Sequence, residues 1–251
     1  MKLLVLDFDG VIADSGREAF VVALATYLGL RPGAQLREGD DESLYAAFVA
    51  LMPLGNRAED FGVALAAIDA GVALPDQAAY DAFYAAQDAG WRRAFHERFY
   101  VVRAEFSRSD AARWLSLLPP YPRFLEILRR RAGPCRYAIA TAKDRRSVGA
   151  LLDAYGAADL FAPELVLDKE TGVTKVAHHE HLARLCGVAY REMTFVDDKV
   201  NHLDAVGALG VRCALSAWGY NGPREYALAR AHGHRVCTLD DVEAQLFGPT
   251  T

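Results

Sequence analysis

The chain has 251 residues, 52% of them apolar, with 28 Lys and Arg against 33 Asp and Glu and a net charge of −5. That balance offers no bulk attraction to nucleic acid or to an acidic membrane, so an anionic ligand has to be held by local cations. Four widely spaced cysteines, Cys135, Cys186, Cys213 and Cys237, make no C-x-x-C pair and no disulfide framework, and the expected setting is a reducing cytoplasm.

In chain order, the first element is LLVL at 3–6, a buried strand type that runs into Asp7 and Asp9. Acids follow it too soon for a secretory signal, and no run reaches the roughly 18 apolar residues that a bilayer requires. Residues 16–118 change texture: they are rich in Ala and aromatics, helical in spacing, and hold no convincing strand. Ser15 and Glu18 fit an S-x-x-E capping box at the start of this module. A long helical segment is expected from Tyr80 to Phe106, in which Trp91, Phe95, Phe99 and Tyr100 form core and Arg92 and Arg93, with Arg57 earlier, could reach a ligand. Pro119, Pro120 and Pro122 end the module.

A helix at 124–133 then opens a second texture, in which short β runs alternate with helices. The runs are RYAIA (136–140), ELVL (164–167), MTFV (193–196), VRCAL (211–215) and RVCT (235–238). Apolar strands alternating with helices indicate a parallel sheet covered on both faces. The fold class is therefore α/β, with a Rossmann-like core formed by 1–15 and 119–251 and an all-helical insertion at 16–118.

Open parallel sheets bind ligands beyond the carboxyl ends of their strands. The residues there are Asp7 and Asp9 after the first strand, Thr141, Ala142 and Lys143 after the second, Lys175 past the third, and Asp197 and Asp198 after the fourth. Asp7 and Asp9 alone would also suit a turn or helix cap, since Asp9-Gly10 is a common turn pair. Together the four rim positions point to a cation held by carboxylate and carbonyl oxygens, for which Mg²⁺ is the natural ion. Such a cation, with Lys175, would let a carboxylate attack a phosphoryl group, whose oxygens Thr141 and the following amides would hold. The HHEH stretch at 178–181 is not an H-E-x-x-H zinc motif and reads as helix. No dinucleotide or P-loop glycine fingerprint occurs.

The ordered set DFDGVIADS, Thr141 of AIATAK, Lys175 and FVDD resembles the haloacid dehalogenase superfamily of phosphohydrolases. The helical insertion is similar to the cap of its phosphoglycolate phosphatases and β-phosphoglucomutases. The resemblance implies that Asp7 is the nucleophile and that Asp9 is the acid and base. It also implies Mg²⁺ on Asp7, the Asp9 carbonyl and Asp198 with help from Asp197, and a substrate phosphoryl group on Thr141, Ala142 and Lys175. The helical module would close over the rim and select a small phosphate ester. Two positions depart from the pattern. His202 stands where relatives often carry another Asp, and Lys175 lacks a following proline and has a rival in Lys169. Hydrolysis of a phosphate monoester is the expected reaction. A phosphomutase, a halide-removing hydrolase and a non-catalytic binding protein of the same fold are the alternatives.

Overall fold

The protein is described by a computed structural model covering every residue except Glu38, Asp40, Asn56, Val173 and 249–251. Residues 1–14 and 119–251 form one compact unit and residues 15–118 a second, so Ser15 belongs with the helices.

The first unit is built on six strands: β1 (Leu3–Leu6), β2 (Arg136–Ala140), β3 (Val166–Leu167), β4 (Met193–Asp197), β5 (Arg212–Ser216) and β6 (Arg235–Cys237). All are parallel, in the order β3-β2-β1-β4-β5-β6. This bears out the Rossmann-like reading. Leu3, Leu4, Val5 and Leu6 are all buried, because the helices on each face of the sheet leave no solvated side for a polar residue. One core face gathers Leu3, Val5, Ala138, Phe195, Leu203 and Leu215. β3 is shorter than the expected run at 164–167 because Pro163 opens a 3₁₀ turn over Pro163–Leu165 and only two residues remain to pair.

Sheet order reverses beside β1, which pairs with β2 on one side and with β4 on the other. The register sets Leu6 level with Ile139 and with Val196. The next residue of each strand therefore emerges at one height, and the Asp7 N–H donates to the Val196 carbonyl at 2.9 Å. The chain then turns sharply: Ile12 and Ala13 both donate to the Phe8 carbonyl, and Gly10 donates to Ala13. Asp14 and Tyr121 complete this ribbon by donating to Pro119 and Ile12. Pro122 sits in the first turn of the helix Pro122–Arg130, where its missing N–H costs nothing.

The second unit consists of the helices Gly16–Leu30, Glu42–Leu51, Ala58–Asp69, Gln77–Ala86, Ala89–Ser109 and Ala111–Ser116. Phe20, Phe48, Phe95 and Phe99 are fully buried, and Gly62 is needed because a Cβ there would stand 2.7 Å from the Phe95 ring. The expected helical segment from Tyr80 to Phe106 is interrupted at Gln87–Asp88, where the Asp88 carboxylate accepts from the Trp91 N–H and starts a new helix. The Ser15–Glu18 capping box does not form. Ser15 makes no capping bond, and Glu18, fully buried, instead accepts two N–H bonds from Arg103 at 2.8 and 2.7 Å and one from the Trp114 indole at 3.0 Å. A charge-assisted, two-pronged bond to a guanidinium is stronger than one bond to a neutral backbone amide. Among the described residues, no helix is long and apolar enough to cross a membrane.

Candidate active site

Asp7 is the first residue past β1 and is nearly inaccessible. Its Oδ1 accepts from the Phe8 N–H at 2.7 Å, and its Oδ2 lies 2.7 Å from Lys175 Nζ. Lys175 opens the helix Lys175–Cys186, whose start is capped by the Thr174 hydroxyl accepting from Ala177. From there its side chain runs inward and donates to the Ala140 carbonyl at 2.7 Å, with Asp197 Oδ2 3.3 Å away. Lys169, its rival in the sequence, is exposed in the preceding turn. Burial, not spacing, separates the two lysines.

Asp197 ends β4 and is completely buried. Its oxygens also accept from the Lys199 N–H at 2.9 Å and from His202 Nδ1 at 3.1 and 3.2 Å. Asp7, Asp197 and His202 thus bring donor atoms within 4.8 Å of one another, with Lys175 bonded to the first two. The next residue, Asp198, is also buried, and its Oδ2 accepts from the Tyr220 N–H at 3.1 Å.

Gly10 and Gly219 hold Asp198 by having no side chain. A Cβ on Gly10 would lie 2.7 Å from Asp198 Cγ, and one on Gly219 would lie 2.5 Å from Asp198 Cβ. Gly10 also adopts φ +75°, a conformation that other residues reach only with strain. Ser216 secures the same turn by donating to the Gly10 carbonyl, and Asn221 donates to the Asp198 carbonyl. Ser216 ends β5 and Gly219 and Asn221 follow it on the same rim, so the position of β5 in the sequence is the signal that points to them.

Thr141 follows β2, is buried, and accepts from the Lys143 N–H at 3.1 Å, so its hydroxyl and the loop amides share one small turn. Ala142 at the tip of that turn is exposed. Lys143 is a second buried cation, with Nζ 3.2 Å from Asp9 Oδ1. It stands beside Ala142 in the sequence, yet nothing in its spacing marked it as pointing inward. His178 and His179 of the HHEH stretch are buried core residues, bonded to the carbonyls of Asp168 and Lys175.

The electrostatics divide the acids into two kinds. Burial, reinforced by Asp197 and opposed by Lys175, pushes the Asp7 pKa up to about 6. Burial, with Asp197 and Asp7 nearby, pushes Asp198 well above the carboxylate range. Burial would also raise Asp197, but His202 and Lys175 outweigh it and hold that group low. Lys175 is kept protonated: burial opposes its charge, and Asp7 and Asp197 more than offset this. Asp197 is therefore held as the carboxylate by Lys175 and its hydrogen bonds, while burial disfavours the ionised forms of Asp7 and Asp198. A divalent cation bound among these oxygens would offset that burial penalty.

A doubly wound parallel sheet with acids, a hydroxyl and buried lysines at its topological switch point places a charged site where open α/β sheets bind their ligands. The sequence model of the haloacid dehalogenase-like hydrolases matches residues 1–210. The chain belongs to this family and is a hydrolase. No curated protein matches it. Among solved structures, it is similar to a provisionally named phosphoglycolate phosphatase from Lactobacillus delbrueckii, at 14% identity and a TM-score of 0.74 over 99% of each chain. A predicted phosphoglycolate phosphatase from Haemophilus somnus is 20% identical, with a TM-score of 0.63 over 96% of each chain. A family hydrolase from Deinococcus radiodurans with bound phosphate and sodium is 19% identical, with a TM-score of 0.60 over 98% of this chain and 95% of that one. At these identities the likeness is one of fold.

Proposed function

We propose that the chain hydrolyses a small organic phosphate monoester through an aspartyl-phosphate on Asp7. The observation that carries this reading is the setting of Asp7. It is a buried carboxylate at the sheet's switch point, ion-paired at 2.7 Å to a buried lysine, with Thr141 just past the neighbouring strand. The phosphate bound by the Deinococcus relative supports the same substrate chemistry.

A carboxylate with a pKa of about 6 is mostly ionised at neutral pH and needs no separate base. An Asp7 oxygen attacks phosphorus and the ester P–O bond breaks, while Asp9 gives its proton to the departing alkoxide. Asp9 then takes a proton from water, whose oxygen attacks the same phosphorus. The P–O bond to Asp7 breaks, phosphate leaves, and both carboxylates return to their starting state. Lys175 and Lys143 offset the repulsion between the attacking carboxylate and the phosphoryl oxygens, which Thr141 and the amides of its turn orient. Mg²⁺, held by Asp7, the Asp9 carbonyl and Asp198, would draw charge from those oxygens. Asp197, bonded to Lys175 and His202, supports the lysine, and with its donor atom within 4.8 Å of that of Asp7 it would assist the metal directly or through water.

The test is a screen of small phosphate esters, including 2-phosphoglycolate and sugar phosphates, with Mg²⁺ and with chelator. Release of phosphate that requires Mg²⁺ and vanishes in Asp7→Asn supports the reading. Conversion of a sugar phosphate to its isomer without free phosphate would replace hydrolysis by phosphomutase action. Phosphate release undiminished in Asp7→Asn would refute the nucleophile.

A further inference from the structure

The Lys175 ammonium group has three hydrogens to donate. The Ala140 carbonyl and Asp7 Oδ2 each lie 2.7 Å from Nζ, whereas Asp197 Oδ2 lies 3.3 Å away. Two carboxylates thus compete for one cation, and the shorter contact goes to Asp7. Depth does not explain this preference. Asp197 is the more completely buried of the two, and burial strengthens the pull on a cation. What separates the acids is their other partners. Asp197 accepts from the Lys199 N–H at 2.9 Å and from His202 Nδ1 at 3.1 and 3.2 Å. His202 is the third residue of the helix Val200–Gly207, which begins three residues past Asp197 and brings the ring back onto the end of β4. Facing two carboxylate oxygens, Nδ1 carries a hydrogen whatever the state of Nε2.

We infer that His202 is a positioning residue for Lys175: by bonding to both oxygens of Asp197, the ring weakens the hold of that carboxylate on the ammonium and leaves Lys175 committed to Asp7. The inference rests on Asp7 being the nucleophile. As an Asp7 oxygen attacks phosphorus, its negative charge passes toward the phosphoryl group. A lysine drawn away to Asp197 at that moment would no longer offset the repulsion between the two anions. The ring acts through Asp197, so its loss falls on turnover rather than on binding of the phosphoryl group by Thr141 and its turn. A carboxylate in place of the ring would set a further acid against Asp197 and draw the lysine farther from Asp7.

The experiment compares the wild type with His202→Asn, His202→Asp and His202→Leu in saturating Mg²⁺, by steady-state kinetics on a phosphate ester that the wild type hydrolyses. Crystal structures of the wild type and His202→Leu accompany it. His202→Leu and His202→Asp should lower kcat roughly ten-fold or more while leaving KM nearly unchanged. His202→Asn, which sets an amide N–H where Nδ1 stands, should recover most of the loss. In the His202→Leu crystal, Lys175 Nζ should lie nearer Asp197 than Asp7, the reverse of the wild type. If His202→Leu fails to fold, the equal-sized pair His202→Asn and His202→Asp decides the matter. Equal kcat in that pair, a loss confined to KM, or an unmoved Lys175 in His202→Leu would overturn the role. Turnover retained by Asp7→Asn would instead strike the nucleophile reading, and the crystal comparison tests the placement of Lys175 independently of it.

Discussion

Lys175 Nζ bridges Asp7 and Asp197, at 2.7 Å from one carboxylate and 3.3 Å from the other, and all three groups are buried. Replacing it with methionine keeps the stem but leaves two carboxylates facing one another without a cation. Such a loss costs about 3–5 kcal/mol when a buried pair is broken. Lys175→Met should therefore lower both the thermal midpoint and turnover, the latter by about 10³-fold, which matches the loss of a group stabilising transferred charge. Unfolding curves and steady-state kinetics check the two effects separately; a variant with near-native values of both would contradict the bridge.

Gly10 combines φ +75° with a 2.7 Å approach to Asp198 that a Cβ would occupy. Gly10→Ala should cost about 1–3 kcal/mol in backbone strain. It should also displace Asp198, raising the Mg²⁺ concentration needed for half-maximal turnover. A metal titration of activity reads the second effect; an unchanged requirement would show that Asp198 tolerates the shift.

His179 gives the stability a defined acid limb. Its Nδ1–H donates to the Lys175 carbonyl, its ring lies edge-on against Phe195, and burial lowers its pKa to about 4. The unfolded chain takes up this proton near pH 6.5 and the folded one only near pH 4, so between these values the unfolded state binds more protons and stability falls as pH falls. The full window is worth about 3 kcal/mol. His179→Leu should therefore gain about 2 kcal/mol relative to the wild type between pH 7.5 and pH 4.5. Urea unfolding at the two pH values checks it, and a pH-independent gap between the proteins would refute the assignment.

In the helical unit, Glu18 is fully buried and held by Arg103 and the Trp114 indole. Glu18→Ala strands the guanidinium and should destabilise this unit by about 3–5 kcal/mol, with part recovered in Glu18→Ala/Arg103→Met. Denaturant unfolding of the three proteins measures it. A loss below about 1 kcal/mol would mean that the pair behaves like an exposed one.

The strands were legible because a parallel sheet buried on both faces leaves uninterrupted apolar runs, as in LLVL and MTFV. Their carboxyl ends directed attention to the acids that follow. What stayed hidden depends on partners distant in sequence. Glu18 carries a valid local cap signal, but Arg103 and Trp114, 85 and 96 residues away, take its carboxylate. Spacing did not show that Lys143 turns inward to Asp9, nor that His202 takes both oxygens of Asp197. The break at Asp88 lay within Ala-rich helical texture, where one capping carboxylate is a weak signal against the surrounding propensity.

Hydrolysis by this route passes the phosphoryl group through Asp7. The direct measurement is rapid acid quenching during turnover of a phosphate ester, followed by peptide mass spectrometry of the segment containing Asp7 and Asp9. One added phosphoryl group is expected on Asp7, present in Asp9→Asn and absent in Asp7→Asn. Turnover at wild-type rate in Asp7→Asn, or a phosphoryl group trapped at another residue, would contradict it.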